Sequence, residues 1–161
     1  MDVVKIDGPR QPAASGTTEQ LVILVHGYGA DGNDLIGLAP YFARALPNAA
    51  FVAPNGPERC EMSPMGYQWF PIKQFDPTSR LTGVQSAAPI LDQFIDQELA
   101  SHGLSEENLL LVGFSQGTMM SLHVALRRPR QVAGILGYSG LLAGPELLAD
   151  EVVSKPPILL I

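Results

Sequence analysis

Asn108-Leu109-Leu110-Leu111-Val112-Gly113-Phe114-Ser115-Gln116-Gly117 is an apolar run that ends in a G-x-S-x-G motif. The run has strand length and no polar alternation, as expected of a strand buried on both faces of a parallel sheet. Residues 116–128 then read as a helix that starts at once. With 16 glycines in the chain, the bare G-x-S-x-G pattern is weak. The strand before it and the helix after it give it meaning, because a sharp strand-to-helix turn lifts a serine above the sheet and needs small flanking residues. Ser115 is therefore the candidate nucleophile. The N–H of Gln116, at a helix start where amides point outward and carry partial positive charge, is the first expected oxyanion donor. The competing reading makes Ser115 a plain helix N-cap.

Working outward, Leu21-Val22-Ile23-Leu24-Val25 is a second doubly buried strand, ending at His26-Gly27. Asn33 can cap a helix with apolar residues at Leu35, Leu38, Ala39, Phe42 and Leu46, stopped by Pro47. Ala49-Ala50-Phe51-Val52-Ala53 gives a short strand that completes a βαβ unit. A further helix, capped by Thr82, carries the stripe Val84, Ala87, Leu91, Phe94, Ile95 and Leu99, with Pro89 inside it and Gly103 past its end. Strands at 132–136 and 157–161 follow, and residues 3–16 suggest a short edge hairpin. From Pro57 to Ser79 runs an aperiodic segment rich in Pro, Met and aromatics, the mark of a functional loop. The fold class is α/β, a mostly parallel sheet with helices on both faces, and residues 1–161 form one domain. Functional loops then gather at the carboxyl ends of the strands.

His26-Gly27-Tyr28-Gly29-Ala30-Asp31-Gly32 lies at such an end and belongs beside the serine turn. Its backbone can supply the second oxyanion donor, assigned to the Tyr28 N–H. His26, at the strand end, reads as an orienting residue rather than a general base. Gly27-x-Gly29-x-x-Gly32 also spells a dinucleotide fingerprint, the basis of a minor Rossmann-like alternative. Against it, the acid required at the end of the next strand is replaced by Ala53-Pro54-Asn55-Gly56, and the helix is expected to start only at Asn33. The Asp31–Asp34 cluster lacks the spaced acids of a calcium loop and reads as a turn with a helix cap. No metal or other cofactor is expected.

Composition narrows the partners. A chain with 46% hydrophobic and 16% charged residues is too apolar for disorder, and no run is long enough to span a membrane. The net charge of −6 argues against nucleic acid, and Arg127-Arg128-Pro129-Arg130 falls where cations favour a helix C-terminus. The lone Cys60, read as a free loop thiol, and the mixed-charge Met1–Lys5 segment point to a cytoplasmic protein.

Taken together, the 26–31 motif, the Gln68-Trp69-Phe70 loop and the 113–117 motif resemble the phospholipase/carboxylesterase family of α/β-hydrolases, relatives of acyl-protein thioesterases. The likeness runs from about Leu21 to the last residue. It implies a cofactor-free serine carboxylesterase or thioesterase acting on short-to-medium acyl esters through an acyl-enzyme on Ser115. By the same resemblance Tyr28 and Gln116 supply the oxyanion hole, and Trp69 and Phe70 lie near the acyl pocket. In the family the triad Asp follows the strand that Pro157-Ile158-Leu159-Leu160-Ile161 resembles, and the triad His comes later still. No complete triad can be written from these residues: His123 is about 10 Å of helix rise from Ser115, and His102 lies in a distant loop. The expectation is an α/β-hydrolase domain missing the last strands and helix. The alternative is a non-catalytic or trans-completed hydrolase fragment, associating as a homodimer through the exposed edge of its last strand.

Overall fold

Alternation along β2 (Gln20–Val25) sets the two faces of the sheet. Leu21, Ile23 and Val25 enter one core and Val22 and Leu24 the other, the two-residue period of a strand buried on both sides. The computed structural model describes residues 3–161; Met1 and Asp2, part of the mixed-charge N-terminus, lie outside them. Around β2 stand β1 (Arg10–Gln11), β3 (Ala49–Val52), β6 (Leu109–Phe114), β7 (Gly134–Tyr138) and β8 (Ile158–Leu160). The sheet order is β1-β3-β2-β6-β7-β8, and every pair is parallel except β1 with β3.

One face is covered by α1 (Gly32–Ile36) and α2 (Ala39–Phe42), the other by α3 (Pro77–His102) and α4 (Gln116–Arg127). The apolar stripe expected on α3 is buried at every position, Val84 through Leu99. Each large side chain in it contributes roughly 1.5–3 kcal/mol by leaving water. Arg128, at the end of α4, is 5% exposed and paired with Asp92 and Asp96 of α3 and with Glu106. Arg128 thus fastens the end of α4 to α3, while Arg127 pairs with Glu151.

Several expectations are corrected. The N-terminal segment forms no hairpin of its own; Arg10 and Gln11 add an antiparallel edge strand to β3. The helix expected over 33–46 is two short helices, and its cap is Asp31, whose side chain accepts the Asp34 N–H in a capping box. α3 is capped by Asp76 rather than Thr82, with Pro77 in its first turn, and it runs straight through Pro89. Pro89 and Gln85 are both exposed, so water can take the Gln85 carbonyl whose N–H partner the proline lacks. The 57–79 segment contains a hairpin, β4 (Glu58–Arg59) with β5 (Tyr67–Gln68); Cys60, just past β4, is the free loop thiol expected, and it is buried.

Candidate active site

Ser115 occupies the turn between β6 and α4 with φ 54° and ψ −112°, one of two described non-glycine residues with positive φ. Such a conformation costs of order 1–3 kcal/mol and persists only where the surroundings impose it. They do so by contact. A Cβ on Gly117 would lie 1.9 Å from the Val25 carbonyl oxygen, and one on Gly113 would lie 2.6 Å from the Gly117 oxygen. The Ser115 N–H donates to the Tyr138 carbonyl at 2.8 Å, and the Thr118 hydroxyl donates to the same oxygen at 2.9 Å. One strand further out, the Ser139 N–H donates to the Ile161 carbonyl and the Ile161 N–H to that of Gly137. The turn is therefore tied through β7 to the end of β8.

Although Ser115 stands at the N-cap position, its side chain makes no capping hydrogen bond. The plain N-cap reading is set aside, and the hydroxyl is left half-buried on the wall of a cavity of about 180 Å³. A Cβ on Gly27 would fall 3.3 Å from the Ser115 Cβ, so the glycine segment after β2 lies against the serine as expected. Within it the Gly29 N–H donates to Tyr67, that of Ala30 to Gly27, and that of Gly32 to the Asn55 side chain. The Tyr28 N–H has no acceptor among the described residues. Gln116 opens α4, where a first-turn N–H has no intrahelical acceptor. The two amides assigned to an oxyanion hole are among those this region leaves open.

The same pairing counts against the dinucleotide reading, since three of the segment's amides are already used. One argument made against it from sequence is corrected: α1 does begin at Gly32, whose missing Cβ lets the backbone approach Ala53 to a distance that a side chain would reduce to 2.0 Å.

His26 is fully buried with both ring nitrogens engaged. Nε2 accepts the Gly56 N–H at 2.8 Å, so the proton sits on Nδ1 and is donated to the Gly27 carbonyl at 2.7 Å. Burial pushes its pKa down and keeps it neutral. It orients the loop and has no free nitrogen for Ser115. His102 lies at the far end of α3, with Nδ1 against the Glu98 carbonyl, and His123 is buried on α4. None of the three lines the Ser115 cavity.

The aromatic pair divides. Phe70 lines the cavity with Ser115, its ring packed where Gly83 leaves room. Trp69, expected near the pocket as well, does not line it; it is 1% exposed and its indole N–H donates to the His26 carbonyl at 3.0 Å. Sequence reasoning missed the side chain of Gln116. It accepts the Trp69 N–H at 2.8 Å and donates to the Phe70 carbonyl at 2.9 Å. Among the described residues no three His, Cys, Asp or Glu side chains come together to hold a metal, and no helix is long and apolar enough to cross a membrane.

The sequence model of the phospholipase/carboxylesterase family matches residues 8–161. Acyl-protein thioesterase 1 of Kluyveromyces lactis is 30% identical over 148 residues, covering 87% of this chain and 62% of that protein. Acyl-protein thioesterase 1 of Schizosaccharomyces pombe is 33% identical, covering 86% and 65%. The chain thus spans somewhat under two thirds of the length of these two relatives. Among solved structures, esterase PE8 superposes with a TM-score of 0.94 at 46% identity, over 98% of this chain and 74% of that one.

Proposed function

The chain belongs to the phospholipase/carboxylesterase family of α/β-hydrolases, and from that premise we propose that it is a serine carboxylesterase or thioesterase working through an acyl-enzyme on Ser115. The observation that carries this reading is the uncapped Ser115 hydroxyl, held at φ 54° on the wall of a cavity. In the proposed reaction Oγ attacks the ester or thioester carbonyl and gives its proton to a base. The carbonyl oxygen takes the negative charge between the Tyr28 and Gln116 N–H groups, and the alcohol or thiol leaves with a proton. Water then releases the acyl group by the reverse sequence. The substrate is a short-to-medium acyl ester or thioester, with Phe70 on the acyl wall. Residues 1–161 act as one α/β-hydrolase domain in a cytoplasmic setting. The base and its orienting acid are not assigned to His26, His102 or His123, whose positions give no access to Oγ.

Fluorophosphonate labelling tests the reading, because attack on phosphorus needs an activated serine. Labelling that disappears in Ser115→Ala is expected, slowed because none of the three histidines lines the cavity to take the Oγ proton. An unlabelled wild-type chain would sink it.

A second reading rests on a different observation. The outer edge of β8 is unpaired, and Ile158, Leu159 and Leu160 are 43%, 56% and 54% exposed. Such an edge invites strand pairing with a second copy or with a chain that completes the site. Light scattering at micromolar concentration is expected to give a dimer mass on this reading, and a clean monomer counts against it.

A further inference from the structure

The cavity beside Ser115 has a charge character at odds with the rest of the molecule. The chain carries 16 acidic residues and a net charge of −6, yet no Asp or Glu lines this cavity, and one arginine, Arg80, does. Arg80 is also unlike the other arginines. Arg10, Arg127, Arg128 and Arg130 are ion-paired, Arg44 lies over Tyr41, and Arg59 lies over Tyr67. Arg80 is half-buried on α3 with no carboxylate, carbonyl or aromatic partner for its side chain among the described residues. A guanidinium stays charged at every accessible pH and presents a planar fork of donors matched to a carboxylate. None of its nitrogens is among the buried atoms without a partner, so its head keeps solvent contact and is free to turn to an anion that enters the cavity.

The size of the cavity says how far that acceptor stands from the reacting carbon. About 180 Å³ is slightly more than the roughly 150 Å³ that holds a benzene ring, so the space takes a chain of about six heavy atoms. Met119, a turn after Ser115 on α4, and Phe70 provide the apolar wall for its methylenes. From these observations we infer that the Ser115 site takes esters bearing a carboxylate, and that Arg80 is the residue that binds it. This rests on the reading of the cavity as the ester site. The carboxylate can stand at the end of the acyl chain or on the alcohol; the volume favours an acyl chain of the length of glutaryl.

Binding measured on Ser115→Ala isolates recognition from turnover. Calorimetric titrations use monoethyl glutarate (carboxylate on the acyl side), the butyryl ester of 3-hydroxypropanoate (carboxylate on the alcohol side), and neutral ethyl 5-methylhexanoate. At least one charged ester is expected to bind about tenfold or more tighter than the neutral one, with the preference weakened by salt. Arg80→Gln in the same background removes the preference and Arg80→Lys keeps part of it, with thermal unfolding confirming that each variant folds. Equal binding of charged and neutral esters, binding of none, or a preference that survives Arg80→Gln overturns the assignment; the last result would mean that Arg80 serves through its aliphatic stem. Fluorophosphonate labelling of the wild type reports separately on Ser115. A charge preference with an unlabelled serine sinks the esterase reading and leaves the carboxylate site standing.

Discussion

The carboxamide of Gln116 bridges two successive backbone groups, accepting the Trp69 N–H and donating to the Phe70 carbonyl. Gln116 is 1% exposed, so this side chain joins the serine turn to the aromatic loop inside the protein, where water cannot replace it. Removing it leaves a buried donor and a buried acceptor unpaired, at about 1–3 kcal/mol each. Gln116→Ala is expected to lower stability by about 2–4 kcal/mol and to raise amide exchange across residues 69–76. Exchange unchanged in that segment would show that the loop is held by other contacts.

Relief of the strained turn gives the opposite sign. Glycine accepts positive φ without cost, but it also loses more freedom on folding, which offsets part of the gain. Ser115→Gly is expected to be more stable than Ser115→Ala by about 1 kcal/mol, or a few degrees in melting temperature. Equal melting temperatures for the two variants would mean that the turn stores no strain.

Gly117 faces backbone on one side only an atom's width away. In Gly117→Ala the new Cβ meets the Val25 and His26 carbonyl oxygens at 1.9 and 2.7 Å, neither of which can swing aside. A loss of at least about 3 kcal/mol, or failure to fold, is expected. Gly134→Ala, whose nearest foreign atom is a Leu110 methyl at 3.4 Å, is the control and should stay within about 1 kcal/mol. Similar losses for both would point to strand propensity rather than close approach.

His123 makes stability fall on the acid side. Burial first, and the neighbouring Arg127 second, push its pKa down to about 4, and its Nδ1 has no hydrogen-bond partner. An unfolded histidine titrates near 6.5, so below that pH the unfolded chain takes up a proton that the folded one refuses. The contribution is complete above about pH 6.5 and is lost as the pH falls toward 4, by roughly 3 kcal/mol. Urea midpoints at pH 7, 5.5 and 4.5 should fall more steeply for the wild type than for His123→Gln. Parallel decreases would assign the effect to carboxylates instead.

What could be read from sequence is what a period or a steric demand writes into it. The doubly buried strands around Ile23 and Leu111, the stripe from Val84 to Leu99 and the serine turn all announce themselves that way. The misplaced helix starts had a local signal that was overlooked. Asp76-Pro77 is an N-cap followed by a proline in the first turn, hidden by an aromatic-rich loop, and Asp31 with Asp34 is a capping box in a segment read as a turn with its cap at Asn33. The two-residue strands β4 and β5 are too short for any periodicity to show. The bridge made by Gln116, the engagement of both nitrogens of His26 and the isolation of Arg80 are relations between residues far apart in the chain. No local pattern encodes them.

The hydrogen bonds that run from Ser115 through Tyr138, Ser139 and Ile161 place that serine two strands from the rim of the sheet. Its backbone angles are thus held partly by a strand whose other side is open. A molecule that zips onto β8 would damp the fluctuations of that strand and, through β7, sharpen the aim of the serine. Ligand binding in the cavity beside Ser115 and occupancy of the rim then become linked quantities, each shifting the other by the same free energy.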